Sequence, residues 1–80
     1  MQITVEISLY PLEEGFAGTV NDFLGRLKEY PEVAVQTASM STMISGDYDR
    51  VMDILNREIR PVFQKHAAVF TLKVANACGI

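Results

Sequence analysis

Apolar and polar residues alternate strictly over residues 3–9 of the chain. Every odd position there is aliphatic and every even position is polar, a pattern typical of a half-buried β-strand. Pro11 ends this strand, because proline has no amide proton to donate to a neighbouring strand. The sequence EEG at 13–15 provides the turn that follows.

After this turn the apolar period lengthens to that of an α-helix. Four large apolar side chains share one helical stripe, with polar residues opposite: Val20, Phe23, Leu24 and Leu27. Thr19 followed by Asp22 resembles a capping box, so the first helix begins at Thr19 or one turn earlier, near Phe16. Pro31 closes this helix.

Three further strands are predicted from short apolar runs. Residues 33–38 and 41–46 form a hairpin, and residues 68–75 form the last strand with clean alternation. The stretch 39–50, SMSTMISGDYDR, mixes hydroxyl and thioether side chains before a glycine and two aspartates. Such a mixture suits a strand that packs on one side and binds a ligand on the other, followed directly by a helix start.

The second helix starts at Asp47, a residue type that favours the N-cap position. Its apolar stripe runs from Val51 to Val62 and makes it the longest element. Pro61 removes one backbone hydrogen bond, so we predict that the helix is kinked or interrupted after Arg60.

The predicted order is strand, helix, strand, strand, helix, strand. This order indicates an α+β, ferredoxin-like βαββαβ sandwich, in which two helices cover one face of a four-stranded antiparallel sheet. The first and last strands are then neighbours, and the apolar parities of both face the helices. Their polar parities lie on the open face, where Glu6 and Lys73 are placed to pair.

Composition narrows the class of protein. The 80 residues suit one domain over 1–80, whose small core makes self-association a reasonable expectation. Seven Lys and Arg against ten Asp and Glu give no basic surface for a nucleic acid. A single cysteine, Cys78, excludes an intrachain disulfide and fits a reducing compartment. The absence of a basic leader, and of an apolar run near the roughly 20 residues that span a bilayer, favours a cytoplasmic location without membrane insertion.

Candidate catalytic and metal groups are few. His66 is the only histidine and follows the second helix, where a cap or solvent position explains it better than catalysis. No serine, nor Cys78, has a recognisable activating base. Asp47 and Asp49 are explained by the helix start, and a metal site needs further ligands. We therefore expect no catalytic residue and no metal.

Three stretches in order, VEISLYPL, MSTMISGDYDRVM and FTLKVAN, resemble the small thiamine-binding proteins of the YkoF-like group. Together they span nearly the whole chain: the first lies on strand one, the second on strand three and the start of helix two, and the third on strand four. The resemblance implies a ferredoxin-like, single-domain protein that forms homodimers or homotetramers through its sheets. It also implies binding of thiamine or its hydroxymethylpyrimidine moiety in uptake or salvage, without catalysis and with thiamine as ligand rather than cofactor.

The resemblance and the chemistry of thiamine together suggest a set of ligand-binding residues. Thiamine combines a cationic thiazolium with a flat aminopyrimidine, which calls for a carboxylate, hydroxyls or amides, and an aromatic or thioether surface. The chain offers these groups on the open face and its margin: Glu6, Ser8, Tyr10, Phe16, Met40, Thr42 and Asn76. The sequence leaves open which parity of strand 41–46 faces the helices, and hence where Thr42 points.

Two other functional classes remain open. The first is an ACT-like regulatory module that binds a small metabolite at a dimer interface, although such modules usually accompany a catalytic domain. The second is a small dimeric enzyme of a ferredoxin-like class, for which Glu6 is the only plausible acid or base. A Glu6→Gln variant separates an enzyme, which would lose turnover, from a binding protein, which would lose only affinity.

Overall fold

The structure is a computed structural model and describes residues 1–12, 16–38 and 41–77. Within these ranges the chain forms the predicted succession of strands and helices. The elements are β1 Gln2–Pro11, α1 Phe16–Lys28, β2 Ala34–Thr37, β3 Thr42–Asp47, α2 Tyr48–Lys65 and β4 Ala68–Ala75. The predicted turn at 13–15 lies outside the described residues.

The four strands form one antiparallel sheet in the order β2-β3-β1-β4. β1 is central, and its odd residues Ile3, Val5 and Ile7 are buried against the helices, as the alternation predicts. Val5 and Ile44, opposite each other on β1 and β3, are fully buried in one core with Phe23 and Leu27 of α1 and Ile54 of α2. The architecture is therefore the predicted βαββαβ sandwich.

The register of β3 settles which of its side chains face the helices. Ile44 lies opposite Val5 and Thr42 lies opposite Ile7, so both belong to the helix-covered face. Both are buried, Thr42 with 5% of its surface exposed. Met43 has the opposite parity and lies on the open face of the sheet.

The apolar parity of β4 faces the helix layer as predicted, but the helices cover only one end of it. Phe70 packs against Phe23 and Phe63, with ring centroids 5.1 and 5.3 Å apart. In contrast, Leu72 and Val74 remain 41% and 50% exposed. β4 is an edge strand, and α2 packs mainly on β3 and β1.

The second helix is not interrupted at Pro61, and its N-terminus refines the predicted role of Asp47. α2 continues without interruption through Pro61 to Lys65, because Val62 is 3% exposed in the core and its burial offsets the missing hydrogen bond. Asp47 occupies the N-cap position, but its side chain makes no capping hydrogen bond. Its Oδ1 instead lies 3.2 Å from the terminal ammonium of Met1, which lowers the pKa of the Asp47 carboxyl.

A polar cluster joins the two helices beside the core. The guanidinium Nε of Arg26 donates to Glu58 Oε1 at 2.8 Å, and the phenol of Tyr30 donates to Oε2 at 2.6 Å. The Glu58 side chain is only 14% exposed, so Arg26 and Tyr30 both donate to a carboxylate that is largely removed from water. Because the hydrogen bond to Glu58 favours the protonated phenol, the pKa of Tyr30 is raised.

We expect a Glu58→Gln variant to bring the pKa of Tyr30 down toward its ordinary value. Because the pKa of Tyr30 is higher in the folded than in the unfolded state, its hydrogen bond to Glu58 stabilises the fold fully below about pH 10. This contribution is lost as the pH rises through the folded-state pKa. Phenolate absorbance, in a background with Tyr10 and Tyr48 replaced by phenylalanine, reports this titration. Glu32→Gln removes an exposed carboxylate as the control, and an unchanged Tyr30 titration in Glu58→Gln would contradict the assignment.

Candidate ligand-binding site

A cleft opens on the helix side of the sheet, where β1 ends, and we call it the end cleft. Its volume is about 240 Å³. Its walls come from the C-terminal residues of β1, the sheet-facing side of α1, the connection between β2 and β3, and the start of β3. The lining residues are Ile7, Ser8, Leu9, Tyr10, Val20, Phe23, Leu24, Ala38, Ser41 and Thr42. The end cleft therefore joins three segments that are distant in sequence.

The lining of the end cleft is apolar with a few hydroxyl groups. Among the described lining residues none is charged, and Ser8, Tyr10, Ser41 and Thr42 supply hydroxyls. Hydroxyls can donate and accept hydrogen bonds, and they can therefore recognise a neutral ring that presents both kinds of group. The arrangement suits a small planar heterocycle better than an ion.

Three of the predicted site residues line this cleft. Thr42 is held there because the antiparallel register with β1 places it opposite Ile7. Tyr10 stands at the mouth and is 50% exposed. Ser8 contributes to the lining although its position in the strand alternation is that of the open face.

Glu6 lies on the opposite side of the sheet from Thr42. It faces Lys73 across β1 and β4, and the Lys73 Nζ lies 3.5 Å from Glu6 Oε1, which confirms the predicted pair. The Lys73 side chain is 80% exposed, so the pair contributes at most about 1 kcal/mol. A second polar contact on this face joins Thr4 Oγ1 and Ser45 Oγ at 3.2 Å.

The remaining predicted site residues are not brought into the end cleft. Asn76 follows β4 at the other end of the sheet, where it borders a small depression beside Gln2 and Thr4. Met40 lies outside the described residues. α1 begins at Phe16, whose side chain also lies outside the described part of the structure. The structure thus groups Ser8, Tyr10 and Thr42 and separates them from Glu6 and Asn76.

Ser41, Val20, Phe23 and Leu24 also line the end cleft, although the sequence did not single them out as site residues. The three apolar residues belong to the α1 stripe, which sequence patterning assigns to the core. Ser41 directly precedes Thr42. The only sequence feature that could have identified Ser41 as a lining residue is the change from hydroxyl to apolar side chains at the start of β3. A residue that serves both core and cleft has no separate sequence signature.

Two negative observations concern only the part of the chain that the structure describes. There, no three His, Cys, Asp or Glu side chains converge as a metal site would require. No helix in those ranges is long and apolar enough to cross a bilayer.

Comparisons with known proteins identify a family. The sequence profile of the YKOF-related family matches residues 2–77 of this chain. No curated protein matches it.

Solved structures share the fold at low sequence identity. A Streptococcus pneumoniae protein superposes with a TM-score of 0.86 at 19% identity, covering 96% of this chain and 88% of its own. A Thermotoga maritima protein, provisionally assigned to thiamine biosynthesis or salvage, gives 0.84 at 16% identity, covering 96% and 85%. A hypothetical protein of Methanocaldococcus jannascii gives 0.80 at 24% identity, covering 95% and 80%. At these identities the likeness shows the fold.

Proposed function

The chain belongs to the YKOF-related family, and from that membership we propose that it is a non-catalytic binding protein for thiamine or its hydroxymethylpyrimidine moiety. The family match over residues 2–77 is the observation that carries the proposal. The provisional assignment of the Thermotoga maritima relative to thiamine biosynthesis or salvage supports the same ligand class. We propose a role in uptake or salvage in the cytoplasm, with thiamine as ligand rather than cofactor.

The end cleft is the proposed site for the pyrimidine ring. The aminopyrimidine is flat and neutral and has donors and acceptors on its edge, which match an apolar, uncharged cleft with hydroxyls. The cleft volume of about 240 Å³ lies below the 300 to 1,000 Å³ typical of pockets for drug-sized ligands, so it suits a single ring. The thiazolium of intact thiamine would then extend past Tyr10 toward solvent.

Isothermal titration with thiamine and with hydroxymethylpyrimidine tests this proposal. We expect saturable binding of both at micromolar concentrations, about −8 kcal/mol. No heat and no thermal stabilisation with millimolar ligand would overturn the proposed function. Turnover of either compound would instead establish an enzyme.

A Thr42→Val variant tests the site. Valine keeps nearly the same shape and removes the hydroxyl, so we expect hydroxymethylpyrimidine to bind about five- to tenfold more weakly, which corresponds to about 1 to 1.4 kcal/mol. Thr71→Val makes the same change on the open face and is the matched control. Equal affinity in wild type and Thr42→Val would move the site away from the end cleft.

A Glu6→Gln variant asks whether the open face takes part. In our proposal Glu6 pairs with Lys73 on the far side of the sheet, so its replacement leaves the affinity for hydroxymethylpyrimidine unchanged. A loss of affinity for thiamine alone would place the thiazolium on the open face.

We also propose that the protein forms homodimers or homotetramers through its sheets. An 80-residue domain buries little core, and the polar open face around Thr4, Glu6 and Lys73 is available for stacking against another sheet. Sedimentation velocity of the purified protein at several concentrations measures the assembly.

A further inference from the structure

A second concave surface lies between α2 and β4 on the helix side of the sheet, and we call it the edge groove. Its volume is about 540 Å³, more than twice that of the end cleft. This volume falls within the range of about 300 to 1,000 Å³ that is typical of small-molecule sites. Among the described lining residues none is shared with the end cleft, so the two are separate sites. The edge groove is lined by Met52, Leu55, Asn56, Ile59, Arg60, Phe63, Gln64 and Leu72.

One flank of the edge groove is apolar. Met52, Leu55, Ile59 and Phe63 recur at intervals of three or four residues, so they share one face of α2, which adjoins Leu72 of β4. Leu55 is 2% exposed, whereas Phe63 and Leu72 are 54% and 41% exposed. An apolar ligand in the groove would remove these two large side chains from water, which is favourable.

The other flank of the edge groove is polar. Asn56, Arg60 and Gln64 are spaced four residues apart, so they form one ridge of α2 beside the apolar face. All three are exposed. The ridge carries a guanidinium with one amide group a turn before it and another a turn after it, all of which can donate hydrogen bonds. The edge groove is therefore amphipathic along its whole length.

The positive charge of Arg60 is not neutralised within residues 1–12, 16–38 and 41–77, where Arg60 makes no ion pair. The other three arginines in these ranges are all paired. Their partners are Glu58 for Arg26, Glu32 and Asp53 for Arg50, and Asp53 for Arg57. Because the guanidinium matches the planar shape of a carboxylate, the natural complement of Arg60 is a carboxylate group on a ligand.

We propose that the edge groove binds an alkyl carboxylate, with its apolar chain between α2 and Leu72 and its carboxylate on Arg60. The guanidinium binds both carboxylate oxygens, and the amides of Asn56 and Gln64 are placed to donate to the same head group. Met52 precedes Arg60 by eight residues, which is about 12 Å along the helix axis. This distance suits an extended alkyl chain of medium length.

Charge favours a single amphipathic molecule over a membrane surface. Attachment to anionic lipid requires several clustered Lys or Arg side chains. Arg60 is the only charged residue among the described lining residues, and the adjacent turns of α2 carry the acidic Asp53 and Glu58. The formal net charge of the chain is −3. The proposal does not depend on the ligand of the end cleft, because it rests on a separate set of residues.

Isothermal titration of the full chain with octanoate tests the proposal, at concentrations far below those at which octanoate forms micelles. Octanol has the same apolar chain without the charge and is the matched ligand. We expect saturable binding of octanoate, about five- to tenfold tighter than that of octanol. The absence of saturable octanoate binding, or equal affinities for the two compounds, would overturn the proposal.

An Arg60→Gln variant tests the position of the carboxylate. Glutamine stays polar and removes the charge, so we expect the affinity for octanoate to fall about five- to tenfold and the affinity for octanol to stay the same. Arg57→Gln makes the same change on the same helix, at a residue that pairs with Asp53 and does not line the groove, and is the control. An unchanged octanoate affinity in Arg60→Gln, or an equal loss in Arg57→Gln, would contradict the assignment.

A Leu72→Ala variant tests the position of the alkyl chain. We expect it to weaken octanoate and octanol by the same factor, because both bury the same chain. Val69→Ala truncates another exposed residue of β4, which has the opposite parity in the strand and lies outside the groove, and is the control. Leu72 and Val69 are 41% and 44% exposed, so both variants should remain folded. An equal loss of affinity in the two variants, or none in Leu72→Ala, would place the chain elsewhere and overturn the proposal.

Discussion

Replacement of Phe23 by alanine is expected to lower the free energy of unfolding by about 3 to 5 kcal/mol. Phe23 is 1% exposed and its ring packs against Phe70 between α1 and β4. Truncation of a buried phenylalanine costs about 3 to 5 kcal/mol, because transfer energy is lost and a cavity remains. A domain of 80 residues has a total stability of about 4 to 12 kcal/mol, so the loss is a quarter or more of the whole.

Urea denaturation followed by circular dichroism, at a protein concentration low enough to keep the chain monomeric, measures this loss. Tyr48→Ala is the matched control, since it also removes an aromatic ring but one that is 39% exposed. We expect the control to change the free energy of unfolding by less than about 1 kcal/mol. Similar losses in the two variants would show that Phe23 is not at the centre of the core. Because Phe23 also lines the end cleft, ligand affinity should fall with stability.

The same substitution at two glycines is expected to change stability in opposite directions. At Gly46 a Cβ atom would lie 2.9 Å from Val33 Cγ1 and 3.3 Å from Val51 Cγ2, too close without movement of one valine. We expect Gly46→Ala to cost about 1 to 3 kcal/mol. At Gly25, exposed within α1, an added Cβ would meet no atom within 4 Å outside the local helix backbone, and Gly25→Ala should add about 0.5 to 1 kcal/mol of helix stability.

Urea midpoints of both variants check this prediction, and a double variant checks its cause. Val33 is only half-buried, so Val33→Ala removes the closest methyl group at modest cost. We expect Val33→Ala to recover part of the loss caused by Gly46→Ala, which a double-mutant cycle would report as a favourable coupling. Additive effects would mean that the strain at Gly46 has another source.

The order and faces of the elements were predictable because local patterns determine them. Strict alternation over residues 3–9 assigns the buried and open sides of β1, and the register of β4 follows once both strands are adjacent. The Glu6 and Lys73 pair was predictable for the same reason. The order of the elements then leaves few topologies for a chain of this size.

Two features were not predictable from local patterns. Residues Met43 and Ile44 are both apolar, so the face of β3 was open until the antiparallel register set Ile44 opposite Val5. Gly46 shares that face and was a usable signal, since a missing side chain allows the close approach of Val33. The effect of Pro61 depended on the burial of Val62, a tertiary contact that overrides helix propensity.

The candidate site was predictable as an inventory of chemistry and not as a grouping in space. Thr42 joins Tyr10 because α1 and the β2–β3 connection close over the end of β1. Glu6 lies on the opposite face of the sheet from Thr42. Asn76 lies at the opposite end of the sheet from the end cleft. The sequence also did not predict how much of the sheet the two helices cover. They leave Leu72 of the edge strand β4 exposed.

The central position of β1 also affects the order in which the protein can fold. β1 precedes both of its neighbours in the chain, yet Thr4 lies between Ser45 of β3 and Ala75 of β4, which are synthesised much later. Pairing of such distant segments requires closure of long loops, which slows folding. During translation one edge of β1 therefore remains unpaired until β4 has been synthesised. This interval is when a nascent chain would be most open to aggregation and to chaperone binding.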